Sequence, residues 1–264
     1  MAGEFAVVTG GSNGIGYELA KTFLQNGHDV LIAAEDAGHL AEAAQSLKAA
    51  GQGEVTTFAA DLSTEDGVGK LYEAIRASGR QVDILAVNAG VGLGGPFVDT
   101  DLQRELKMID LNVRGSVQLT KLVLKDMTAR DRGKLLFTSS IAATMPDPFE
   151  AVYGATKVFL RWFGEALRNE LKDTGIGVTV LMPSVTDTNF FTRAEMLDTK
   201  AGASDKKDDP ADVAKAAWDA LQQDKDKAVP LVKNKVMAAI ADALPDTAAA
   251  QVHRGMSEPG SAKG

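Results

Sequence analysis

The chain has 264 residues and 45% hydrophobic content, enough to bury the core of one α/β domain of ordinary size. A net charge of −8 without any lysine–arginine block argues against nucleic acid or an anionic membrane as a partner. The absence of cysteine excludes disulfides and cysteine-ligated metals. Three scattered histidines (His28, His39, His253) leave little material for a metal site or a Ser-His-Asp triad, so no metal is expected.

From Met1 the chain passes without a basic leader into the apolar run 5–8, and no apolar run approaches the ~20 residues that span a bilayer, so a cytoplasmic protein is expected. The run 5–8 predicts a strand. The segment 15–24 predicts an amphipathic helix with Leu19, Ala20, Phe23 and Leu24 toward a sheet. Between them lies Thr9-Gly10-Gly-Ser12-Asn13-Gly14-Ile15-Gly16. Glycines between a strand and a helix let the backbone approach a pyrophosphate seated on the helix N-terminus, although a glycine after a strand is often just a turn. The run 30–33 predicts a second strand, ending at Glu35 and Asp36. An acid about 20 positions beyond such a turn accepts hydrogen bonds from an adenosine ribose and repels a 2′-phosphate. Glu35 therefore leans the reading toward NAD over NADP, with Asp36 read as a solvated loop charge.

A helix over 40–50 and a strand over 55–59 follow, then Asp61-Leu62; a helix over 67–77 and a strand over 84–87 lead to Asn88-Ala89-Gly90. Both short motifs fall at strand carboxyl ends, where ligands bind in parallel sheets; their plainer readings are a helix cap and a turn. One long helix is expected over 102–127. It contains Asn112, a mediocre helix former that would ordinarily face water. A strand over 134–138 runs into Ser139-Ser140, and a helix over 152–171 carries Tyr153 and Lys157. The strand at 178–181 is followed by an insert, 184–210, with two exposed-looking phenylalanines (Phe190, Phe191) and a polar stretch; inserts of this length are usually functional or mobile. A helix from Pro210 to about Gln222, the apolar run at 228–232 and a helix near 233–244 complete the pattern. Apolar strands alternating with helices predict a single-domain, Rossmann-like, doubly wound parallel sheet flanked by helices, spanning 1–244 with a substrate lid at 184–210. The small, polar residues of 245–264 read as a flexible tail.

Tyr153 and Lys157 are one helical turn apart on one face. An ammonium beside a phenol favours the phenolate, which predicts a lowered tyrosine pKa and an acid/base usable near neutrality. A serine hydroxyl nearby would polarise a substrate carbonyl. The plainer reading is a surface pair on an amphipathic helix.

Taken together, Thr9-Gly10-x-x-x-Gly14-x-Gly16, Asp61-Leu62, Asn88-Ala89-Gly90, Asn112, Ser140, Tyr153-x-x-x-Lys157 and Pro183 resemble the short-chain dehydrogenase/reductase family over about residues 4–223. The resemblance implies Tyr153 as general acid/base and Lys157 as ligand of the nicotinamide ribose that lowers the tyrosine pKa. It implies Ser140, favoured over Ser139 by its spacing to Tyr153, as carbonyl-orienting group, and Asn112 as holder of a water in a proton relay. It implies cofactor contacts at Gly10, Ser12, Asn13, Gly14, Ile15, Gly16 and Glu35, with Asp61-Leu62 at the adenine and Asn88, Ala89 and Gly90 by the adenosine ribose. Tyr153, Lys157, Pro183, Val185 and Thr188 would complete the nicotinamide side. Pro183-Ser184 departs from the family's Pro-Gly, and the C-terminus lacks the family's glycine-rich ending, which favours a homodimer through the helices near 102–127 and 152–171 over a tetramer. The implied activity is NAD- or NADP-dependent interconversion of an alcohol with a ketone or aldehyde on a small molecule; separately, Ala143, Met145, Phe149, Phe190 and Phe191 read as an apolar pocket and lean the substrate toward a hydrophobic one. The rival readings are a catalytically silent dinucleotide-sensing regulator on the same fold and a nucleotide-sugar epimerase, for which the chain is short.

Overall fold

Five apolar runs become strands because a sheet covered on both faces has no side for polar residues, and a sixth run, 55–59, joins them at the sheet edge with Thr56, Thr57 and Ala59 exposed. In the computed structural model, which describes residues 3–231 and 244–263, they are β1 (Phe5–Thr9), β2 (Asp29–Ala34), β3 (Val55–Ala59), β4 (Ile84–Val87), β5 (Gly133–Thr138) and β6 (Ile176–Leu181). A short β7 (Lys227–Ala228) adds a seventh. The order is β3-β2-β1-β4-β5-β6-β7 and every pairing is parallel. The winding reverses between β1 and β4, which places a crevice at their carboxyl ends.

Alternate strand residues feed two cores. Ala6, Val8, Val30 and Ile32 pack under α1 (Gly14–Gln25), α2 (Ala37–Lys48) and α8 (Pro210–Gln222). Phe5, Val7, Leu31 and Leu85 pack under α3 (Glu65–Ala77), α5 (Ser116–Ala129) and α6 (Ala151–Glu170). The helices start where the chain supplies caps: Asp36 accepts from His39 N at 2.8 Å and Thr64 accepts from Gly67 N at 3.0 Å. Asp36 is thus a cap rather than a loose loop charge.

The long helix expected over 102–127 is three pieces. α4 (Leu102–Ile109) passes through a wide turn at Asp110–Gly115 into α5. The extra residue in that turn rotates Asn112 inward, where it is fully buried, against the ordinary rule for a mid-helix asparagine. The insert is also more ordered than its composition suggests: α7 (Phe190–Arg193) buries Phe191, and Thr186 pairs with Asp208. The residues read as a flexible tail form α9 (Asp246–Ser257), because Ala249 and Ser257 recur at helical spacing on one buried face. The helix expected near 233–244 lies outside the described residues except for Leu244. Among the described residues no helix is long and apolar enough to cross a membrane.

Candidate active site

The glycine turn joins β1 to α1 with two backbones in the left-handed region, Gly10 (φ 68°) and Gly14 (φ 56°). A methyl group on Gly16 would lie 2.1 Å from the Gly10 carbonyl oxygen, so the turn closes this tightly with glycine there. Asn13 caps α1 without a side-chain hydrogen bond, donating instead to Ser12 Oγ at 3.1 Å, and the first turn of α1 holds no acid. The amides at this helix N-terminus are therefore left for an outside acceptor. Asn88 braces the turn: its Nδ2 donates to Thr9 O at 3.1 Å, while its Oδ1 accepts from Thr138 Oγ1 at 3.1 Å. Thr9 Oγ1 in turn accepts from Asn88 N and Ala89 N, at 2.9 and 3.0 Å.

Glu35 and Asp61 meet across one lysine that the motif search did not reveal. Lys107 Nζ, on α4, lies 3.1 Å from Glu35 Oε1 and 3.4 Å from Asp61 Oδ2. The Glu35 hydrogen bond, outweighing a modest burial, holds the Lys107 ammonium above the ordinary lysine range. Asp61 also accepts from Ser63 Oγ at 2.6 Å, and Leu62 beside it is buried. Lys107 sits in a predicted surface helix, and only the fold brings it to the ends of β2 and β3.

β5 ends at two serines with different tasks. Ser139 Oγ donates to the Lys157 carbonyl at 2.7 Å and is buried, a structural bond. Ser140 hydrogen-bonds the Tyr153 phenol and accepts from Ala142 N at 3.1 Å. Lys157 Nζ donates to the Thr138 carbonyl at 3.0 Å and lies 5.6 Å from the centre of the Tyr153 ring. Burial pushes the Lys157 ammonium down to about 8. The expected lowering of the Tyr153 pKa is not found. Burial of the phenol, and then the nearby Glu150 and Asp147 carboxyls, push it well above its ordinary value, with the Ser140 hydrogen bond pulling the other way. Asn112 stands behind this group: its Oδ1 accepts from Val91 N at 3.0 Å, and its Nδ2 donates to Val91 O at 2.9 Å and Thr156 Oγ1 at 3.0 Å. Where a methyl group on Gly90 would sit, Asn112 Oδ1 and Lys157 Nζ are each 3.2 Å away.

One cavity of about 460 Å³ runs through the site. Every cofactor-side residue named from the sequence, from Gly10 to Thr188, lines it, as do Ser140, Tyr153 and Lys157; Asn112 does not. Thr188 packs its methyl group toward Gly14 and accepts from Phe190 N at 3.3 Å. The Phe190 ring stands 5.1 Å from the Tyr153 ring, centre to centre. The far wall comes from α9, through Val252, His253, Met256 and Ser257. That wall escaped the sequence reading, although 249, 252/253 and 256/257 carry the helical spacing that would have found it.

A family profile described as short chain dehydrogenase matches residues 4–197. The chain belongs to this family. It is an oxidoreductase of the short-chain type, and its sheet order and turn are those described above. An uncharacterized oxidoreductase of Staphylococcus saprophyticus is 34% identical over 83% of this chain and 92% of its own length. An NADP-dependent 3-hydroxy acid dehydrogenase of Salmonella typhi is 32% identical over 80% of this chain and 86% of its own. The solved 3-ketoacyl-(acyl-carrier-protein) reductase of Brucella melitensis, complexed with NADH, is 27% identical with a TM-score of 0.75, covering 87% of this chain and 96% of that one.

Proposed function

We propose that this short-chain oxidoreductase reduces a ketone or aldehyde to an alcohol, and catalyses the reverse, using Tyr153 as the proton-transferring group. The observation that carries this reading is the gathering of Ser140, Tyr153 and Lys157 in one cavity that begins at the glycine turn. The site fits a dinucleotide on this chain's own features: a turn that glycine alone closes so tightly, unclaimed helix N-terminal amides, and an elongated cavity from the turn to Tyr153. Two of the relatives are named or solved with NADP or NADH, which supports NAD(P) in general. When bound, NAD(P)H supplies the hydride.

Gly10, Ser12, Asn13, Gly14, Ile15 and Gly16 hold the pyrophosphate, and Asp61, Leu62, Asn88, Ala89 and Gly90 line the adenosine side. Glu35 favours NAD, because its carboxylate repels a 2′-phosphate. Lys157, Pro183, Val185 and Thr188 bind the nicotinamide half. Ser140 donates to the substrate carbonyl oxygen and orients it. Tyr153 keeps its proton at neutral pH and delivers it to that oxygen as negative charge develops, which suits the reductive direction. Asn112 sets the backbone beside Lys157 through its two bonds to Val91. Met145, Phe190, Phe191, Val252 and Met256 line the substrate end, which favours a carbonyl compound with an apolar body.

Leu102, Leu106, Ile109, Phe159 and Trp162 leave large apolar surface exposed on α4 and α6, at the start of the wide turn and along the catalytic helix. A homodimer across those helices would cover it. The test of the activity is a panel of carbonyl compounds and alcohols offered with NADH and NADPH and followed at the nicotinamide absorbance. Turnover of an apolar carbonyl with consumption of free nicotinamide supports the reading. A protein that binds NAD(P) and turns over nothing on the panel contradicts it.

A further inference from the structure

The segment entering α6 holds two buried carboxyls to which the proposed chemistry gives no task. Asp147 Oδ1 lies 2.8 Å from His253 Nδ1, on α9. Glu150 Oε2 accepts from Ser257 Oγ at 3.2 Å, and Ser257 Oγ lies 3.3 Å from the same His253 nitrogen. Asp147 and Glu150 are each buried, with Glu150 Oε1 lacking a partner among the described residues. The other carboxyl oxygen of Asp147, Oδ2, crowds the first turn of the catalytic helix. A methyl group on Gly154, next to Tyr153, would meet Asp147 Cβ at 2.5 Å and Oδ2 at 2.9 Å. Between the two acids, Phe149 takes a left-handed backbone (φ 67°), unusual for a bulky residue. Its carbonyl accepts from Gly95 N at 2.8 Å, and the Arg254 guanidinium sits 4.8 Å from its ring centre. Three consecutive parts of this segment are thus held by α9: Asp147 by His253, Phe149 by Arg254 and Glu150 by Ser257.

The geometry points to His253 as a positioning residue for Tyr153: by holding Asp147 over the first turn of α6, the C-terminal helix sets the orientation and charge environment of the phenol. Burial pushes the Asp147 carboxyl up and the contact with His253 pulls it down, so the place of that contact sets how much charge reaches the phenol. The two carboxyls are close enough to act on each other and on the phenol. Burial, then the Asp147 charge, pushes Glu150 up to about 8, and both raise Tyr153. The other charged groups around the cluster are Lys157 on α6, Arg193 at the cavity edge on α7, and Arg254 with Glu258 near the end of α9, the last two paired at 2.8 Å. The inference rests on the reading of Tyr153 as proton donor, and its test separates the two.

The pH dependence of kcat/KM for carbonyl reduction is measured in the full chain carrying His253→Gln, Asp147→Asn or His253→Lys. His253→Gln removes the 2.8 Å partner of Asp147 and lets the carboxylate leave its place near the phenol, so the alkaline limb moves down by about one pH unit, a tenfold change in proton affinity. Asp147→Asn removes the anion itself and moves the limb the same way. His253→Lys, which keeps a donor to Asp147, restores the native profile. A second readout needs no turnover: with tyrosine 13C-labelled at Cζ, the three tyrosines (Tyr17, Tyr72, Tyr153) give three resonances, and His253→Gln displaces that of Tyr153. If His253→Gln does not fold, Asp147→Asn tests the same pair from its other end. Unchanged profiles and an unmoved Tyr153 resonance, with a lowered melting temperature as the sole effect, overturn the inference. Native turnover in Tyr153→Phe would instead overturn the reading beneath it.

Discussion

Removing the Asn112 amide tests whether the wide turn between α4 and α5 exists to place that side chain. Asn112 is fully buried and makes three hydrogen bonds, two to Val91 and one to Thr156. In Asn112→Ala, Thr156 keeps its bond to the Tyr153 carbonyl at 2.7 Å, so the damage falls on the N–H and C=O of Val91. Each orphaned buried group costs about 1–3 kcal/mol, and Val91 is half-buried, so the lower end applies. With the cavity left by the amide, the loss is about 3 kcal/mol. At about 2–4 °C per kcal/mol for a chain of this size, the melting temperature falls by roughly 6–12 °C. Asn112→Asp keeps the volume but cannot donate to Val91 O or Thr156 Oγ1, and is expected to lose at least as much. Thermal and urea unfolding of the unliganded protein measure both. A loss below about 1 kcal/mol in both variants would refute the reasoning, because the buried amide would then be replaceable by water.

Glu150 makes stability pH-dependent: its carboxyl titrates at about 8 in the fold against an ordinary 4.5, so the unfolded chain has released a proton that the folded one retains. Stability therefore falls as pH rises from 4.5 toward 8, and melting temperatures of Glu150→Gln should fall less over that range; parallel curves would contradict this. Lys157, held near 8 by burial, adds little slope below that pH. If Glu35 repels a 2′-phosphate as proposed, Glu35→Ala raises the NADPH-to-NADH ratio of kcat/KM, and an unchanged ratio would assign Glu35 solely to its Lys107 pair. Trp162→Glu, a charge on a side chain that is 60% exposed, should leave the monomer folded and shift the sedimentation coefficient to that of a single chain; an unaltered assembly would place the interface elsewhere.

The sheet was legible because buried parallel strands are apolar at nearly every position, and 5–8, 30–33 and 84–87 needed no tertiary information to be read. The glycine turn was legible for a related reason: its glycines answer to local backbone angles and close approaches. Asn112 was not legible from its own neighbourhood, since nothing local announces that one extra residue in a helical turn will rotate it inward. Tyr153 illustrates a second limit. Its i, i+4 lysine was plain in the sequence, but its proton affinity is set by burial and by Glu150 and Asp147 just upstream, and the burial of all three belongs to the tertiary fold. The α9 wall was missed because small polar residues were weighed by composition, while Ala249, His253 and Ser257 were packed by period.

The central claim is that Tyr153 delivers the proton in a hydride-transfer reaction, and Tyr153→Phe tests it most directly. The variant keeps the ring against Phe190 and loses the hydroxyl that Ser140 engages. Single-turnover reduction of an accepted carbonyl, read at the nicotinamide absorbance beside NAD(P)H binding by fluorescence, should show turnover reduced by at least about 10²-fold with cofactor affinity close to native. Turnover within a few-fold of the native protein, with the cofactor bound normally, would contradict the account.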